Sequence, residues 1–572
     1  MTEVANDETG HWPERPWVMA GVGAITGLLI DGIGDGWWYR AAGDRLTPAA
    51  VAFVAVAGLS FLLTAERKRL PWAVVFALGW GLVIGLIGWF TSGYNIRPSI
   101  LEFPFWSGLL AALVAAPLFQ VVRDEGRLRL PYAPLHRYAW TDAIIGGASL
   151  AFTGLTFLLA FLLSQLFAAI GIGLLRELLE KGWFDWMMAG AAFGAASAVL
   201  REREPLLGTL QRLVMVVFSV LAPVLAGALL LFLIALPVTG FAGLWKSGLP
   251  ETPLLLSSAA FAIVLLNAII GDSPADRSPG RLWRATSLVL VLVVLPLALL
   301  AAISMGIRVG QYGWTPARIW GVIASLVALG YGISGWLAVA RRRGAFDEPL
   351  RGYQTRLAVA LCGLALLLAL PLLDFGAISA NSQMARLASG KVDPSKFDWT
   401  AMAFDFGPAG RKRLEAVARH GMPGQRALAA AALKSQNRYG VAEETEVAQS
   451  TATLDQRLRL IGDIRLSDDR KNQIARSEAC REGECVVIAA GPNDLRVIGI
   501  AENGKTVRVL KLDTSVPPAR EPGNGRVIGT NLPVDYERLD ETVNARTAPV
   551  EIREIKRRQL YVDGKAVGEP FE

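Results

Sequence analysis

Histidine and cysteine are scarce in this chain, with three of each in 572 residues. His11, His136 and His420 lie far apart, and no HExxH, phosphate loop or paired-cysteine zinc spacing occurs. No metal set, catalytic constellation or cofactor is expected from such a sequence. Charge is also scarce, but only in the first part. Residues 1–374 hold 27 Lys+Arg and 23 Asp+Glu, whereas residues 375–572 hold 30 and 27. The first density is roughly half the globular norm of about 25%, and the second lies slightly above it. The net charge of +7 is spread along the chain, and no basic cluster interleaves with aromatics. This argues against a nucleic-acid partner. Residues 1–16 carry four acids and only Arg15. That is the wrong composition for a removable signal peptide, so an uncleaved N-terminus is expected.

Apolar sequence is abundant: 53% of residues are hydrophobic. Runs separated by charged or Pro/Gly-rich breaks cover Trp17–Ile33, Thr47–Ala65, Leu70–Phe90, Phe103–Val122, Ala143–Ile172, Phe184–Leu200, Leu213–Pro237, Leu254–Gly271, Ala285–Ile307, Arg318–Ala340 and Leu357–Leu373. The last run holds no charge, and at about 1.5 Å per residue it covers most of a bilayer core of roughly 30 Å. Eleven transmembrane helices are therefore expected over residues 17–374, after a cytoplasmic segment 1–16. The weakest is the first, with its many glycines and Asp31. Ala143–Ile172 is long for one span and must tilt or project.

Charge in the connections orients these spans. Glu66–Arg69, Arg123–Arg137, Arg201–Arg212, Asp272–Arg284 and Arg341–Arg356 hold 18 Lys+Arg, and the connections on the other side hold 8. Positive charge accumulates on the cytoplasmic side. The N-terminus is thus expected in the cytoplasm, and eleven crossings put the tail outside, which is the periplasm if the organism is Gram-negative. In GLLRELLEKGW, Gly173–Trp183, four leucines share one helical face and the charges the other. This reads as an interfacial helix, with Trp183 and Trp186 at headgroup depth.

The tail is expected to be an extracytoplasmic α+β domain, helical over 375–440 and α+β over 441–572. A polar, Gly-punctuated segment, Asp374–Asp405, opens it. Pro408–Val417 and Gln425–Leu433 read as short helices. Leu458, Leu460, Ile464 and Leu466 alternate as in strands, although a helix fits part of that run. Cys485–Ala490, Leu495–Ala501, Thr506–Leu512, Val527–Thr530, Val550–Ile555 and Gln559–Val562 read as strands, with tight turns at Asn503-Gly504 and Asp563-Gly564. The result is a small, mostly antiparallel β module, with Pro517–Gly525 as a loop.

Two stretches carry a family resemblance. YGWTPARIW, Tyr312–Trp320, opens the tenth apolar segment, and DFGAISANSQMARLASGKVDPSKFDWTAMAFDFGPAGRKRLEAVA, Asp374–Ala418, follows the last. With the many-helix hydrophobic half, they resemble the bacterial membrane proteins of the domain-of-unknown-function 4153 family, over roughly residues 15–430. The resemblance implies a polytopic inner-membrane protein and no established activity.

Several groups invite weighing. Gly21 and Gly23 fall in a membrane helix, where small residues serve packing rather than a nucleotide. Asp31, Asp35, Glu102, Asp142, Asp185 and Asp374 sit near expected helix ends and read as solvated. Gln165 and Asn267 are deeper and read as interhelical hydrogen-bonding groups. Arg308, Tyr312, Thr315 and Arg318 form a candidate anion or lipid-headgroup site: Thr315 can cap the tenth segment, with Pro316 in its first turn. The alternative is an aromatic and basic interface anchor, or pairing of Arg308 or Arg318 with Asp374 or Asp405. Cys480 and Cys485, in CREGEC, form a candidate disulfide if the tail is periplasmic, and Gly483 can take the positive φ that a tight ring needs. Two free thiols are the alternative. Cys362 sits in an apolar run and is expected simply to pack. The composition suits an envelope binding, sensing or assembly component whose partners are membrane lipids and other envelope proteins. A transporter of a small or lipidic solute would need midplane polarity, and a membrane enzyme acting on lipid-linked substrates would need a base–nucleophile pair.

Overall fold

Each of the eleven apolar runs lies wholly or mostly within a helix. The computed structural model describes residues 12–34, 45–92, 102–240, 250–274, 280–435, 438–480, 483–501, 506–517, 534–538, 547, 550–552, 558–562 and 565–571. The chain divides into two compact units, Met1–Arg386 with Phe404–Ala409, and Leu387–Ala403 with Gly410–Glu572.

The first unit is helical: α1 Arg15–Gly34, α2 Leu46–Thr64, α3 Leu70–Thr91, α4 Glu102–Glu125, α5 Tyr132–Ala169, α6 Leu174–Leu179, α7 Gly182–Glu202, α8 Glu204–Thr239, α9 Glu251–Ile270, α10 Arg281–Tyr312, α11 Pro316–Arg341, α12 Asp347–Ala369 and α13 Phe375–Ala388. Among the described residues ten of these, α1–α5 and α8–α12, are long and apolar enough to cross a membrane. The expected eleventh, Phe184–Leu200, lies in α7, which is 21 residues long. It falls short because Ala, Gly and Ser dominate it and its ends carry Asp185, Arg201 and Glu202. Helix α5 has 38 residues, roughly 57 Å, so it exceeds a bilayer core at any tilt near the average. Helix α12 stops at Ala369 because Pro371 follows; Leu370 is extended at φ −79°, ψ 148°.

Small residues decide the tightest helix contact. Helices α1 and α7 run antiparallel and touch through backbone. A Cβ built on Gly23 would lie 2.0 Å from the Gly190 carbonyl oxygen, on Gly27 1.9 Å from that of Trp186, and on Gly194 2.1 Å from that of Met19. GAITG on α1 and GAAFG on α7 are thus a matched pair of small-xxx-small faces. Gly21, by contrast, has nothing within 4 Å. A second core joins α8, α9 and α10 around Leu265, Ile269, Leu290 and Leu297. Pro296 inside α10 donates no hydrogen bond to the Leu292 carbonyl, and the Trp336 indole Nε1 on α11 donates to that oxygen instead, at 3.0 Å.

The second unit holds α14 Gly407–His420, shared with the end of the first, then α15 Pro423–Lys434, α16 Arg438–Arg457 and α17 Asp468–Arg476. Its strands are β1 Leu458–Ile461, β2 Glu484–Ala489, β3 Asp494–Ile500, β4 Thr506–Asp513, β5 Val534–Arg538, β6 Arg558–Val562 and β7 Lys565–Phe571. The first five form one sheet in chain order and the last two a separate pair. The sheet is mixed rather than antiparallel. β1 pairs parallel with β2, Leu458 opposite Cys485, while β2–β5 alternate antiparallel. Parallel neighbours need a crossover, and residues 462–483 supply one that contains α17. Ile464 and Leu466, expected as a strand, lie in this crossover and pack against the core of Leu454, Ile474, Val487, Val497 and Leu510. Residues 550–552 are not in a strand, and Val527–Thr530, Asn503-Gly504 and Asp563-Gly564 lie outside the described residues.

Candidate functional site

The patch around Thr315 is built as expected at its cap. Thr315 Oγ1 accepts from the Arg318 backbone N–H at 3.4 Å and Pro316 occupies the first helical turn. Its cations, however, have internal partners. Arg308 pairs with Glu251, which is 3% exposed, rather than with Asp374 or Asp405. Arg318 donates to the carbonyls of Tyr312 (3.2 Å) and Gly313 (2.8 Å) and lies over the Tyr312 ring, 5.4 Å from its centroid. From α13, Gln383 Nε2 donates to the Tyr312 and Trp314 carbonyls, both at 2.9 Å, and Arg386 donates to those of Gln311 and Gly310. Cations and amides thus gather at the C-terminal end of α10, where a helix leaves its carbonyls unpaired and its dipole negative. Asp374 caps α13 by accepting from the Ala377 N–H at 2.8 Å.

A second knot of charge sits at the end of α2. Three arginines from three helices donate to three successive carbonyls: Arg201 to Leu63, Arg123 to Thr64 at 2.9 Å, and Arg15 to Ala65 at 2.5 Å. Each arginine has a carboxylate. Arg201 pairs with Asp142 at 2.8 Å, Arg123 with Glu66 and Asp124, and Arg15 with Glu202 at 3.3 Å. Gln120 Nε2 donates to the other oxygen of Asp142 at 2.6 Å. Asp142 is therefore not a solvated helix end. Helix α5 begins eleven residues earlier than the apolar run, so Asp142 falls inside it, with its side chain 10% exposed. No single stretch of sequence shows this knot, because its members lie up to 187 residues apart.

Between α4, α5, α9, α11 and α12 lies a cavity of about 790 Å³. On α11 its wall is Trp320, Ile323, Ala324, Val327, Ala328 and Tyr331; on α12 it is Gln354, Thr355, Ala358, Leu361, Leu364, Ala365 and Leu368. Both sets recur at helical spacing on one face, and they extend over about 20 Å of helix. Alanines open the space, with Ala139 and Ala143 on α5 and Ala260 on α9 adding to it. Among the described residues no Asp, Glu, Lys or Arg lines it. Its polar groups are mostly paired. Tyr132 donates its hydroxyl to Asn267 Oδ1 at 2.9 Å, and Asn267 Nδ2 donates to the Ile263 carbonyl at 2.8 Å, the interhelical role expected of it. His136 Nε2 accepts from Trp140 Nε1 at 3.0 Å, and Ser107 donates to the Ala365 carbonyl at 2.8 Å. Among the described residues two buried atoms of the lining side chains have no partner: Gln354 Oε1 and Trp320 Nε1. Neither residue stands out in the sequence, because a glutamine and a tryptophan on amphipathic helix ends are ordinary. Among the described residues no three His, Cys, Asp or Glu side chains gather as metal ligands.

In the second unit the sulfurs of Cys480 and Cys485 are joined, with their Cα atoms 5.7 Å apart. Gly483 between them has φ +79°, and a Cβ there would lie 2.2 Å from the Ile500 carbonyl oxygen. Arg457 donates to the carbonyls of both Cys480 (2.8 Å) and Gly483 (2.7 Å), holding the ring from outside. Burial lowers the Arg457 pKa, but it remains the cation of this contact.

No curated protein and no solved structure matches the chain. A family profile does: that of Domain of unknown function (DUF4153) matches residues 51–405, from α2 to the turn after α13. That span covers α2–α5 and α8–α12, nine of the ten long apolar helices, and the cavity walls, so the chain is a multi-pass membrane protein that belongs to the DUF4153 family.

Proposed function

We propose that this protein is a binding component of a bacterial envelope that holds a lipid-like chain inside the membrane. One observation carries the reading: a cavity of about 790 Å³ whose wall is almost wholly hydrocarbon and carries no formal charge. That volume is in the range of sites that enclose one small molecule. Partners on this reading are membrane lipids, and other envelope proteins reached through the C-terminal unit.

The proposed orientation puts the N-terminus in the cytoplasm and the C-terminal unit in the periplasm. The 18-to-8 bias of Lys+Arg between alternate connections supports it. It requires α7 to cross as well as the ten apolar helices. Support for that crossing comes from α7 lying antiparallel along α1 from Met19 to Gly27, at backbone contact. An alkaline phosphatase fusion after Gly376 should be active; inactivity there, with an active cytoplasmic reporter at the same point, refutes the orientation.

The binding reading is tested by purifying the full chain in mild detergent and identifying extracted lipid by mass spectrometry. Ala358→Trp, which fills the cavity, should reduce the co-purified single-chain or isoprenoid lipid while leaving loosely associated phospholipid unchanged. Equal lipid content in both proteins overturns the reading.

A further inference from the structure

We infer that the molecule held in this cavity is an amphiphile with one hydrocarbon chain and a neutral, hydroxyl-bearing head, bound with that head at Gln354. This rests on the cavity reading above and specifies its ligand. Gln354 is 9% exposed, it lines the cavity, and its Oε1 has no hydrogen-bond partner. A buried amide without a partner costs free energy that a ligand group can return. Two neighbouring polar groups are occupied: Tyr132 is spent on Asn267, and the Ser107 hydroxyl on a backbone carbonyl. Among the described residues Gln354 Oε1 is the fully buried acceptor left at this end.

The charge of the surroundings selects the head. Arg351, one turn before Gln354, is buried, but it pairs with Asp347 at 3.1 Å and donates to the Ile270 carbonyl at 2.7 Å. The side chains of that pair are 8% and 4% exposed, so the cation is already compensated. His136 accepts from Trp140 at Nε2, which is a neutral imidazole's role. A carboxylate or phosphate head would enter with an uncompensated charge, which an apolar site penalises heavily. A hydroxyl both donates and accepts, so it satisfies the amide whichever way that group is turned. Trp320, also on this wall, has a buried Nε1 donor without a partner among the described residues.

The test uses the full chain in mild detergent, with hexadecan-1-ol, hexadecane, hexadecanoate and hexadecyl phosphate as probes, read by native mass spectrometry. Hexadecan-1-ol should bind one per chain and in preference to the other three. Gln354→Leu should weaken hexadecan-1-ol about tenfold, the worth of one buried hydrogen bond, and leave hexadecane unchanged. Its thermal transition without ligand should be equal to or above that of the parent, which separates lost recognition from lost folding. A preference for hexadecanoate or hexadecyl phosphate, or an alcohol affinity indifferent to Gln354→Leu, overturns the neutral-head inference and leaves the cavity reading standing. Unchanged binding of every chain by Ala358→Trp overturns both.

Discussion

Removing Arg201 should destabilise the membrane unit far more than removing an ordinary surface arginine. Arg201 and Asp142 are each 10% exposed and 2.8 Å apart, and Arg201 also holds the Leu63 carbonyl. Arg201→Met leaves the Asp142 carboxylate with Gln120, 2.6 Å away, as its side-chain hydrogen-bond partner. Breaking one side of a buried pair costs about 3–5 kcal/mol, because the survivor keeps its desolvation penalty. Asp142→Leu has the lesser effect, because Arg201 retains a backbone acceptor. The double variant removes both charges, and replacing a whole buried pair with apolar groups is often close to neutral. It should therefore recover about half or more of the loss caused by Arg201→Met. A domain of 150–250 residues shifts by about 2–4 °C per kcal/mol, and this unit is larger. A drop of about 5–10 °C is expected for Arg201→Met, read from intrinsic fluorescence on heating in detergent. A drop below about 2 °C, or a double variant whose loss equals the sum of the singles, would refute the burial and the coupling on which this reasoning stands.

Three further outcomes are expected. Gly190→Val should separate α1 from α7, since even a Cβ would lie 2.0 Å from the Gly23 carbonyl, whereas Gly21→Val should be well tolerated; expression and monodispersity on gel filtration distinguish them. Arg308→Gln should lower the thermal transition measurably although Arg308 is itself half-exposed, because its partner Glu251 is buried; an unchanged transition would return Arg308 to the role of a free interface cation. Cys480 and Cys485 should resist alkylation until reduced, in protein taken directly from cells, and modification of both thiols without reductant would count against the disulfide and the periplasmic placement together.

Much of the first unit was legible because a bilayer imposes local rules. A segment that must hide its backbone in hydrocarbon has to be a long apolar helix, so Leu70–Phe90 or Leu254–Gly271 declares itself within its own residues. The bias of Lys and Arg between connections is likewise a property of adjacent stretches. Some local signals were present but go unnoticed when each segment is read alone. GAITG and GAAFG are ordinary small-residue patterns until α1 and α7 are known to be neighbours. In the tail, β1 ends at Ile461, before Ile464 and Leu466, and the crossover that follows, with its helix Asp468–Arg476, lets β1 run parallel to β2.

The apolar content, the helical spans, the cap at Thr315 and the proximity of Cys480 to Cys485 are thus consequences of sequence alone, since each depends on residues within one or two turns of one another. Tertiary structure alone decided which charges meet. Arg308 faces Glu251 rather than Asp374, Asp142 is buried against Arg201, and the arginines at positions 15, 123 and 201 converge on the last carbonyls of α2. It also decided that Gln354 and Trp320 share a cavity without partners of their own. The reason is physical. A helix face is set by local periodicity, but the partner of a buried polar group is set by which faces pack together, and five helices from distant parts of the chain must be in place before the cavity and its unpaired atoms exist.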